Sequence, residues 1–418
     1  MTVPSVWEVV RRTRATGPRD VSRRVARRLA GSLTAKFDTA ELDFPLLAQD
    51  IADSTRLLLE PPLTAVGPAR ELELAVLCTP PGPGSGGHTT LFRMVSGLEE
   101  RGHRCALLLY DRHGSNLDEA TAIIRRHWPK VRAEVRPVPP ILEGYDGCIA
   151  SSWETAHVLA TRGRTAMHRF YFIQDFEPYF YPRGSLYSLA EDTYRFGLRN
   201  IALGHMVASA IRDNVGIDSA LVPFGCDTEV YSLRNLGKRR GVVFYARQTV
   251  DRRGFLLGKL ALEEFHQRHP EQPVHIYGDP VTRWDVPHTH HGKLSPDDLS
   301  TLYNSCLAGL AMSFTNISLV AEEMLACGMS PVVNDHPFAR SDLPAQGVIW
   351  AQATPGALAD AMSRAVEQPR SSRQTITFAG AARKGWATTQ EGVARIIEAE
   401  VAGPFRGPRS TDNFLVGE

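Results

Sequence analysis

Short apolar runs alternate with amphipathic stretches through most of the chain. The first three runs, LELAVLCT, LFRMVSGLEERG and CALLLYD, predict a strand, a helix and a strand. Further runs at GYDGCIASS, RFYFIQD, NIALGHMVAS and ALVPFG continue the alternation to about Tyr231. Apolar strands separated by helices pair in parallel, and the helices cover both faces of the sheet. The pattern therefore predicts an α/β domain with a buried parallel sheet.

A second α/β domain follows the polar, basic stretch SLRNLGKRRG. The alternation restarts at GVVFYAR and continues through PVHIYGD, AGLAMSF and SPVVND. A chain of 418 residues is also longer than one hydrophobic core usually supports. We expect two Rossmann-like domains, residues 71–235 and 236–385. A helical extension and linker (1–70) precede them, and a helix beginning near Trp386, with a tail, follows (386–418).

The composition is that of an ordinary globular protein, with 43% hydrophobic and 22% charged residues and a net charge of +1. This balance argues against a dedicated nucleic-acid-binding protein. The six cysteines form no C-x-x-C pair, which predicts reduced, buried thiols. No run is long enough to cross a bilayer, and the N-terminus lacks the apolar core of a secretory signal, so we expect a cytoplasmic protein.

The first 36 residues form a basic arm. They hold nine basic residues against two acidic ones, a charge of +7, and leave −6 on the remainder. From residue 20 to 36, apolar residues recur every four positions between arginines, which predicts a basic amphipathic helix. Such a helix can lie on an anionic membrane, can pack against the body of the protein, or can contact nucleic acid. The sequence leaves these three interpretations open.

A glycine-rich loop separates the first strand from the first helix. Small residues around Gly86, Gly87 and His88 would let an anion or a sugar approach the free amides at the start of that helix. Gly82, Gly84 and Gly87 also have G-x-G-x-x-G spacing, so an NAD-dependent oxidoreductase is an alternative. That alternative requires an acid in a set place at the end of the second strand; LLLYD offers Asp111, but prolines crowd the glycine-rich loop and argue against it. A flexible connector is the third interpretation.

The apolar run RFYFIQDFEPYFYP carries polar residues directly after its strand. Gln174, Asp175 and Glu177 would emerge at the carboxyl end of the strand, where open α/β sheets bind their ligands. Aromatic rings follow at Phe176, Tyr179, Phe180 and Tyr181, and they would either form the wall of a sugar site or cover the edge of the core. The segment predicts one side of a ligand site.

Arginines follow the first strand of the second domain. GVVFYAR ends at Arg247, and a short loop returns Arg252 and Arg253 to the same edge. Guanidinium groups bind phosphate oxygens through paired hydrogen bonds and keep their charge. Arginines are also common on solvated surfaces, but the position at a strand end favours a phosphate site.

The segment SFTNISLVAEEMLACGMSPVVND predicts a loop, a helix from about Ser318 to Gly328, and a strand. Free amides of Ser318, Leu319 and Val320 would bind phosphate, and Glu323 lies about one and a half turns into the helix. Together they suit a nucleoside diphosphate, although an ordinary capped core helix has the same pattern.

Several of these motifs together resemble family 4 of the retaining glycosyltransferases. The resemblance lies in LFRMVSGLEERGH, YFIQDFEP, YAR with its basic loop, and AEEMLACGMSPVV, and it covers about residues 72–400. GGHTTLFRMVSGLEERGH and YFIQDFEPYFYPRGSLYSLAEDTYRFGL are most similar to WsaF-type rhamnosyltransferases. The resemblance implies the GT-B fold, in which two Rossmann-like domains face each other across a cleft.

The resemblance assigns donor-binding roles residue by residue. It implies that Arg247 and Arg252, with Arg253 beside them, hold the donor phosphates, and that Glu323 binds the nucleotide ribose. The first acid of the family's E-x7-E pattern falls on Thr315, a departure that affects the contact with the donor sugar. The expected donor-binding set also includes Lys293, Leu294, Asn316, Ser318, Leu319 and Val320.

The family's strand-end histidine falls on Gln174, so we expect Asp175 to provide the polar group near the donor sugar. We expect catalytic roles for Asp175, Arg247 and Glu323. The expected acceptor-side residues are Gly86, Gly87, His88, Gln174, Asp175 and Glu177.

The expected reaction is transfer of a sugar, with rhamnose from dTDP-rhamnose as first choice, to a glycan or lipid-linked acceptor, with retention of configuration. Transfer to a small-molecule natural product is an alternative. Arginines and a helix start meet the developing phosphate charge without Mg²⁺, so we expect neither a metal nor a cofactor. The histidines of VPHTHHGKL match no common metal-ligand spacing. The expected partners are the donor, the acceptor and an anionic membrane surface for the basic arm, but not nucleic acid.

Overall fold

A computed structural model describes residues 44–62, 71–114, 116–317, 319–343, 346–382 and 385–403. By its contacts the chain divides into residues 1–47 and 48–418, and the features below belong to the second unit. The basic helix predicted for residues 20–36 and the predicted phosphate ligand Ser318 lie outside the described residues. No helix among the described residues is long and apolar enough to cross a membrane.

The first domain contains a seven-stranded sheet in which every pair is parallel. Its strand order is β3-β2-β1-β4-β5-β6-β7. The central strands are buried along almost their whole length, which explains their continuous apolar sequences. The strands are β1 Glu73–Cys78, β2 Arg104–Leu109, β3 Glu134–Pro137, β4 Gly147–Ala150, β5 His168–Ile173, β6 Arg199–Leu203 and β7 Ala220–Val222.

Five helices connect these strands: α1 Gly86–Glu100, α2 Leu117–His127, α3 Trp153–Arg162, α4 Ser185–Asp192 and α5 His205–Val215. Side-chain caps define two of the helix starts, since Asn116 accepts from two amides of α2 and Ser152 forms a capping box with Thr155 on α3. The run NIALGHMVAS is divided between β6 and α5 at Gly204, whose φ of 86° favours glycine.

The second domain has a six-stranded parallel sheet in the order β10-β9-β8-β11-β12-β13. Its strands are β8 Val242–Ala246, β9 Val274–Gly278, β10 Thr289–His290, β11 Ala308–Leu310, β12 Ser330–Asn334 and β13 Ile349–Ala351. Its helices are α6 Phe255–Arg268, α7 Pro296–Ser305, α8 Leu319–Ala326, α9 Pro337–Asp342, α10 Pro355–Glu367 and α11 Ser372–Gly380. Because β11 stops at Leu310, the second half of AGLAMSF is a loop.

The last helix, α12 Ala387–Ala402, packs against α1 of the first domain. Gln390 Nε2 donates to the carbonyl oxygen of Arg93 at 2.8 Å, and Glu398 accepts from Arg101 and His103. A Cβ atom on Gly97 would come within 2.8 Å of the Gln390 side chain, so the two helices approach closely only because residue 97 is glycine. The chain thus crosses from the second domain back to the first.

A further contact between the domains caps helix α5. Gly204 precedes this helix and has no side chain that could accept hydrogen bonds from the first backbone amides of α5. Asp342, at the end of α9, accepts instead from the backbone amides of His205 at 2.6 Å and Met206 at 2.8 Å. An acid at a helix start is favoured by both hydrogen bonding and the helix dipole. The second domain therefore completes a helix of the first.

All six cysteines are free thiols, five of them buried and Cys105 partly buried. Burial raises the pKa of the Cys78, Cys105 and Cys148 thiols to about 12. A thiol with so high a pKa is a poor nucleophile, so these cysteines act as small apolar side chains. The cysteines are thus unpaired as predicted, and five of the six are buried.

Candidate active site

Three arginines lie at the carboxyl edge of the second sheet, as predicted. Arg247 directly follows β8, and a 3-10 turn, Asp251–Arg253, brings Arg252 and Arg253 back to this edge. Arg247 Nη1 donates to the hydroxyl of Tyr245 at 3.1 Å. The Nε atoms of Arg247 and Arg252 are buried and have no hydrogen-bond acceptor within the described residues. Such guanidinium groups can accommodate an anionic ligand with several acceptor oxygens.

Arg253 is held in place by the loop that follows β11. Its Nη1 donates to Ser313 Oγ at 2.8 Å and lies 3.4 Å from Asn316 Oδ1. Ser313 Oγ in turn donates to Asn316 Oδ1 at 3.0 Å, and its backbone amide donates to Asn334 at 2.9 Å. Burial lowers the pKa of Arg253, and the negative charge of Asp175 acts in the opposite direction. The side chain is thus oriented before any ligand binds.

The loop after β5 reaches from the first domain to these residues. Thr315 Oγ1 donates to Asp175 Oδ1 at 2.7 Å, and Asn316 Nδ2 donates to the carbonyl oxygen of Gln174 at 3.2 Å. The guanidinium of Arg252 lies 4.1 Å from the centre of the Phe180 ring, within the range of a cation–π contact. Residues from the two predicted ligand sites therefore meet across the domain boundary.

The carboxyl group of Asp175 lies among positive charges and a hydroxyl donor. Burial raises its pKa, whereas Arg253, Arg252 and the Thr315 hydrogen bond lower it. The residue as a whole is half-buried. It is placed to contact a group bound beside the arginines.

Helix α8 begins at Leu319, followed by Val320, and ends before Gly328, whose φ is 79°. Glu323, on this helix, is only partly exposed. Burial, with the nearby negative charge of Asp227, raises its pKa to about 8, while the charge of Arg93 acts in the opposite direction. A carboxyl group in this setting accepts or donates a hydrogen bond, depending on pH.

Two charged residues near Glu323, Arg93 and Asp227, were not predicted from the sequence. Arg93 forms an ion pair with Asp227, and its guanidinium lies 4.7 Å from the centre of the Trp386 ring. One signal was available for Arg93, because it is a charged residue inside the apolar run LFRMV. Asp227 follows β7 by five residues, in a polar connection that carries no pattern of its own.

The glycine-rich loop contacts the same region through Gly87. A Cβ atom at this position would lie 4.0 Å from Gln174 Oε1, so Gly86 and Gly87 begin α1 close to the end of β5. His88 has its ring in the loop: Nε2 lies 2.9 Å from the Thr79 carbonyl and Nδ1 lies 2.9 Å from Ser85 Oγ. Because a carbonyl only accepts, Nε2 carries the proton and Nδ1 accepts from the serine. Burial lowers the His88 pKa, and these contacts hold the loop itself.

Glu177 lies beneath helix α3 and has structural contacts. Its carboxyl group accepts from the backbone amide of Trp153, the first residue of α3, and from the Tyr171 hydroxyl at 2.9 Å. Its side chain is buried, and its backbone amide donates to the hydroxyl of Tyr194. These contacts do not support the predicted acceptor-side role, because the carboxyl group is occupied by the start of α3.

Two further predicted residues precede α7. Lys293 is exposed, and Leu294 packs its side chain against the hydrophobic core, so only its backbone is placed for a ligand. The nearby histidines contact one another or the backbone: His275 Nδ1 lies 3.1 Å from His291 Nε2, and His288 Nδ1 lies 2.8 Å from the Val286 carbonyl. Among the described residues, no three potential metal ligands lie together.

Two family models match the chain, the WsaF N-terminal domain over residues 144–205 and the WsaF C-terminal domain over residues 240–363. The O-antigen biosynthesis protein RfbC of Myxococcus xanthus is 29% identical over 269 residues, which is 60% of this chain. The match covers 21% of that relative, so the chain spans about a fifth of its length.

Solved structures with a similar fold include sucrose-phosphate synthase from Thermosynechococcus elongatus, with a TM-score of 0.59 and 14% identity over 78% of this chain and 98% of that one. HepE from Anabaena, in complex with UDP and glucose, has a TM-score of 0.55 and 14% identity, and the match covers 79% of this chain and 97% of HepE. The catalytic domain of starch synthase IV from Arabidopsis thaliana, bound to ADP and acarbose, has a TM-score of 0.55 and 11% identity, and the match covers 80% of this chain and 100% of that domain. At these identities the likeness shows the fold. The two parallel sheets and this likeness show the GT-B fold, and the two matched WsaF domains support a glycosyltransferase.

Proposed function

We propose that this chain transfers a sugar from a nucleoside diphosphate to a saccharide acceptor during synthesis of a cell-surface polysaccharide or glycoconjugate. The observation that carries the proposal is the arginine edge: the Nε–H groups of Arg247 and Arg252 are buried with no hydrogen-bond acceptor in the part of the chain that the structure describes, beside the anchored Arg253. Two supporting findings are the UDP and glucose bound by the similarly folded HepE and the O-antigen role in the name of RfbC.

In the proposed complex, the arginines bind the diphosphate together with the amides of Leu319 and Val320 at the start of α8. Cleavage of the bond between sugar and phosphate leaves an additional negative charge on the phosphate oxygen. Fixed guanidinium groups and a helix N-terminus stabilise this charge without reorganisation during the reaction. They provide the stabilisation that Mg²⁺ provides elsewhere, so we propose that turnover needs neither a metal nor a cofactor.

Glu323 binds the ribose hydroxyls in this proposal. Its carboxyl group lies on α8, the helix whose start binds the phosphates, and it is partly exposed beside Arg93 and Asp227. The acceptor enters from the first domain, near Gln174 and the Gly86–Gly87 start of α1.

We propose transfer with retention by attack on the front face. The acceptor oxygen bonds to the anomeric carbon on the side from which the phosphate departs, and a phosphate oxygen takes the hydroxyl proton. Asp175 balances the positive charge that develops at the anomeric carbon or orients the acceptor. The similarity to WsaF domains makes dTDP-rhamnose the first donor to test.

The proposal is tested by incubating the purified chain with separate nucleotide sugars and measuring released nucleotide, with EDTA present and absent. We expect cleavage of dTDP-rhamnose that is unaffected by EDTA. Arg247→Ala should lower turnover about 10²-fold, the usual effect of losing one transition-state contact. The control is Arg268→Ala, because Arg268 lies on α6 and pairs with Glu264 and Asp360 on the outer surface.

Full turnover by Arg247→Ala would refute the phosphate assignment. Cleavage of UDP-hexoses without cleavage of dTDP-rhamnose would retain the glycosyl transfer and change the donor. Stabilisation by NAD and not by any nucleoside diphosphate would instead favour the oxidoreductase. Transfer to a small soluble acceptor, with no product on a lipid-linked saccharide, would favour natural-product glycosylation.

We also propose that the basic arm holds the enzyme at the inner surface of a membrane. The arm carries a charge of +7, and juxtamembrane basic residues each contribute about 1 kcal/mol on anionic lipid. The intact chain should sediment with vesicles containing phosphatidylserine and stay in solution with phosphatidylcholine alone. Equal sedimentation after deletion of residues 1–36 would refute this role.

A further inference from the structure

The contact between Thr315 and Asp175 joins the two domains at one point of the proposed cleft. Thr315 follows β11 of the second domain, and Asp175 follows β5 of the first. A hydroxyl and a carboxyl group from opposite domains thus form a hydrogen bond of 2.7 Å. The bond exists only while these two loops are together.

The phosphate site fixes where the transferred sugar must lie. Arg253 is anchored to Ser313 and Asn316, which lie two residues before and one residue after Thr315. A sugar joined to a diphosphate held by Arg253 is therefore next to the Thr315 loop. Asp175 lies on the side facing the first domain, close enough to Arg253 for each charge to affect the pKa of the other.

Thr315 itself has little surface to offer a ligand. It is 2% exposed, and its hydroxyl proton is used in the bond to Asp175 Oδ1. Asp175 is half-buried, and its second oxygen, Oδ2, is the remaining acceptor of that carboxylate. Thr315 therefore orients the carboxyl group, and Asp175 makes the outward contact.

We infer that Asp175 provides the carboxylate that faces the donor sugar, that Thr315 is its positioning residue, and that this end of the site is assembled from both domains. The inference rests on the proposed glycosyl transfer. A carboxylate supplied by the first domain faces the sugar only when the domains are closed. It follows that the second domain alone is sufficient to bind the nucleotide, whereas cleavage of the bond between sugar and phosphate requires the two domains to close.

Four variants test this pair: Asp175→Asn, Thr315→Val, Thr315→Ser, and Thr315→Glu combined with Asp175→Asn. Each is measured for turnover of the donor that the wild type cleaves and for affinity for the free nucleoside diphosphate. The control is Thr121→Val, since the Thr121 hydroxyl donates to the Leu117 carbonyl on α2, away from the cleft.

We expect Asp175→Asn to lower turnover about 10²-fold or more with unchanged nucleotide affinity, since the lost contact acts on the transition state. Thr315→Val should lower turnover about tenfold through the loss of one hydrogen bond, because 1.4 kcal/mol corresponds to a factor of ten. Thr315→Ser should retain it. The double variant, which places a carboxylate at position 315, should have a higher turnover than Asp175→Asn alone.

Wild-type turnover in Asp175→Asn would overturn the inference. The inference would also be overturned if Thr315→Val lost nucleotide affinity together with turnover while Thr121→Val lost neither. The Thr315–Asp175 pair would then only hold the domains together. Failure of the proposed function is a separate result, because it appears as an absence of sugar-nucleotide cleavage in the wild type. If the double variant does not fold, the Thr315→Val and Thr315→Ser pair still decides the outcome.

Discussion

Glu177 gives a direct test of whether a carboxyl group at the strand end serves structure or binds a ligand. Its carboxyl oxygen accepts from the Trp153 amide and the Tyr171 hydroxyl, both buried. Glu177→Ala leaves two buried donors without an acceptor. Each unpaired donor destabilises the fold by about 1–3 kcal/mol, so the free energy of unfolding should fall by about 2–6 kcal/mol. Glu177→Gln keeps an acceptor of the same shape and should stay within about 1 kcal/mol of the wild type.

The pH dependence sharpens this prediction. Burial, with the nearby charge of Glu154, raises the Glu177 pKa well above its usual value. The folded protein therefore retains a proton that the unfolded chain releases above about pH 4.3. Rising pH then lowers the stability of the wild type up to the folded pKa, whereas Glu177→Gln lacks this effect. Urea unfolding at pH 5 and pH 8 should show the glutamine variant gaining relative to the wild type at the higher pH.

An activity measurement completes the test. Glu177→Gln should cleave the donor at close to the wild-type rate and retain its affinity for a saccharide acceptor. A glutamine variant that folds as well as the wild type but loses acceptor affinity would refute the structural assignment. A Glu177→Ala variant with unchanged stability would refute the hydrogen-bond argument.

Three further predictions follow from the contacts. Nucleotide affinity should rise from pH 6.5 to pH 9 as Glu323, with its pKa of about 8, ionises to a stronger acceptor for ribose hydroxyls, and titration calorimetry of Glu323→Gln should show a flat profile. Gly97→Ala should lower the unfolding free energy by about 1–3 kcal/mol through overlap with Gln390, while Gly380→Ala, with open space around it, should not destabilise the protein. Asp342→Ala should lose about 0.5–2 kcal/mol by uncapping α5, and an unchanged urea midpoint would exclude that role.

The sequence predicted most of the fold because buried parallel strands have continuous apolar sequences. Strands β1, β5, β8 and β12 all lie within runs identified by that pattern. The strands that were not predicted lie at sheet edges and are short or exposed: β3 is largely exposed, β10 has two residues and β13 has three. Such strands form because a neighbouring strand offers hydrogen bonds, which their own residues do not signal.

The proposed site was predictable to the extent that each half follows its own strand. Arg247 and Asp175 were identified because they lie at the ends of apolar runs. The contacts between distant parts of the chain could not be predicted. Thr315 and Asp175 are 140 positions apart in the sequence, and Arg93 and Asp227 are 134 apart. Glu177 and Asp175 also look alike in sequence, and only the position of α3 distinguishes a helix-capping carboxyl group from one that faces the cleft.

The contacts across the proposed cleft use the residues that would bind the donor. Arg252 lies against Phe180, and Asn316 donates to the Gln174 carbonyl, in addition to the Thr315–Asp175 bond. A diphosphate bound by Arg252 competes with the Phe180 ring for the guanidinium, because a charge-assisted hydrogen bond is stronger than a cation–π contact. The Asp342 cap and the α12 contacts involve other residues than these. In the proposed complex, donor binding would therefore exchange the Arg252–Phe180 contact, while the Thr315–Asp175 bond, the Asp342 cap and the α12 contacts keep the domains together.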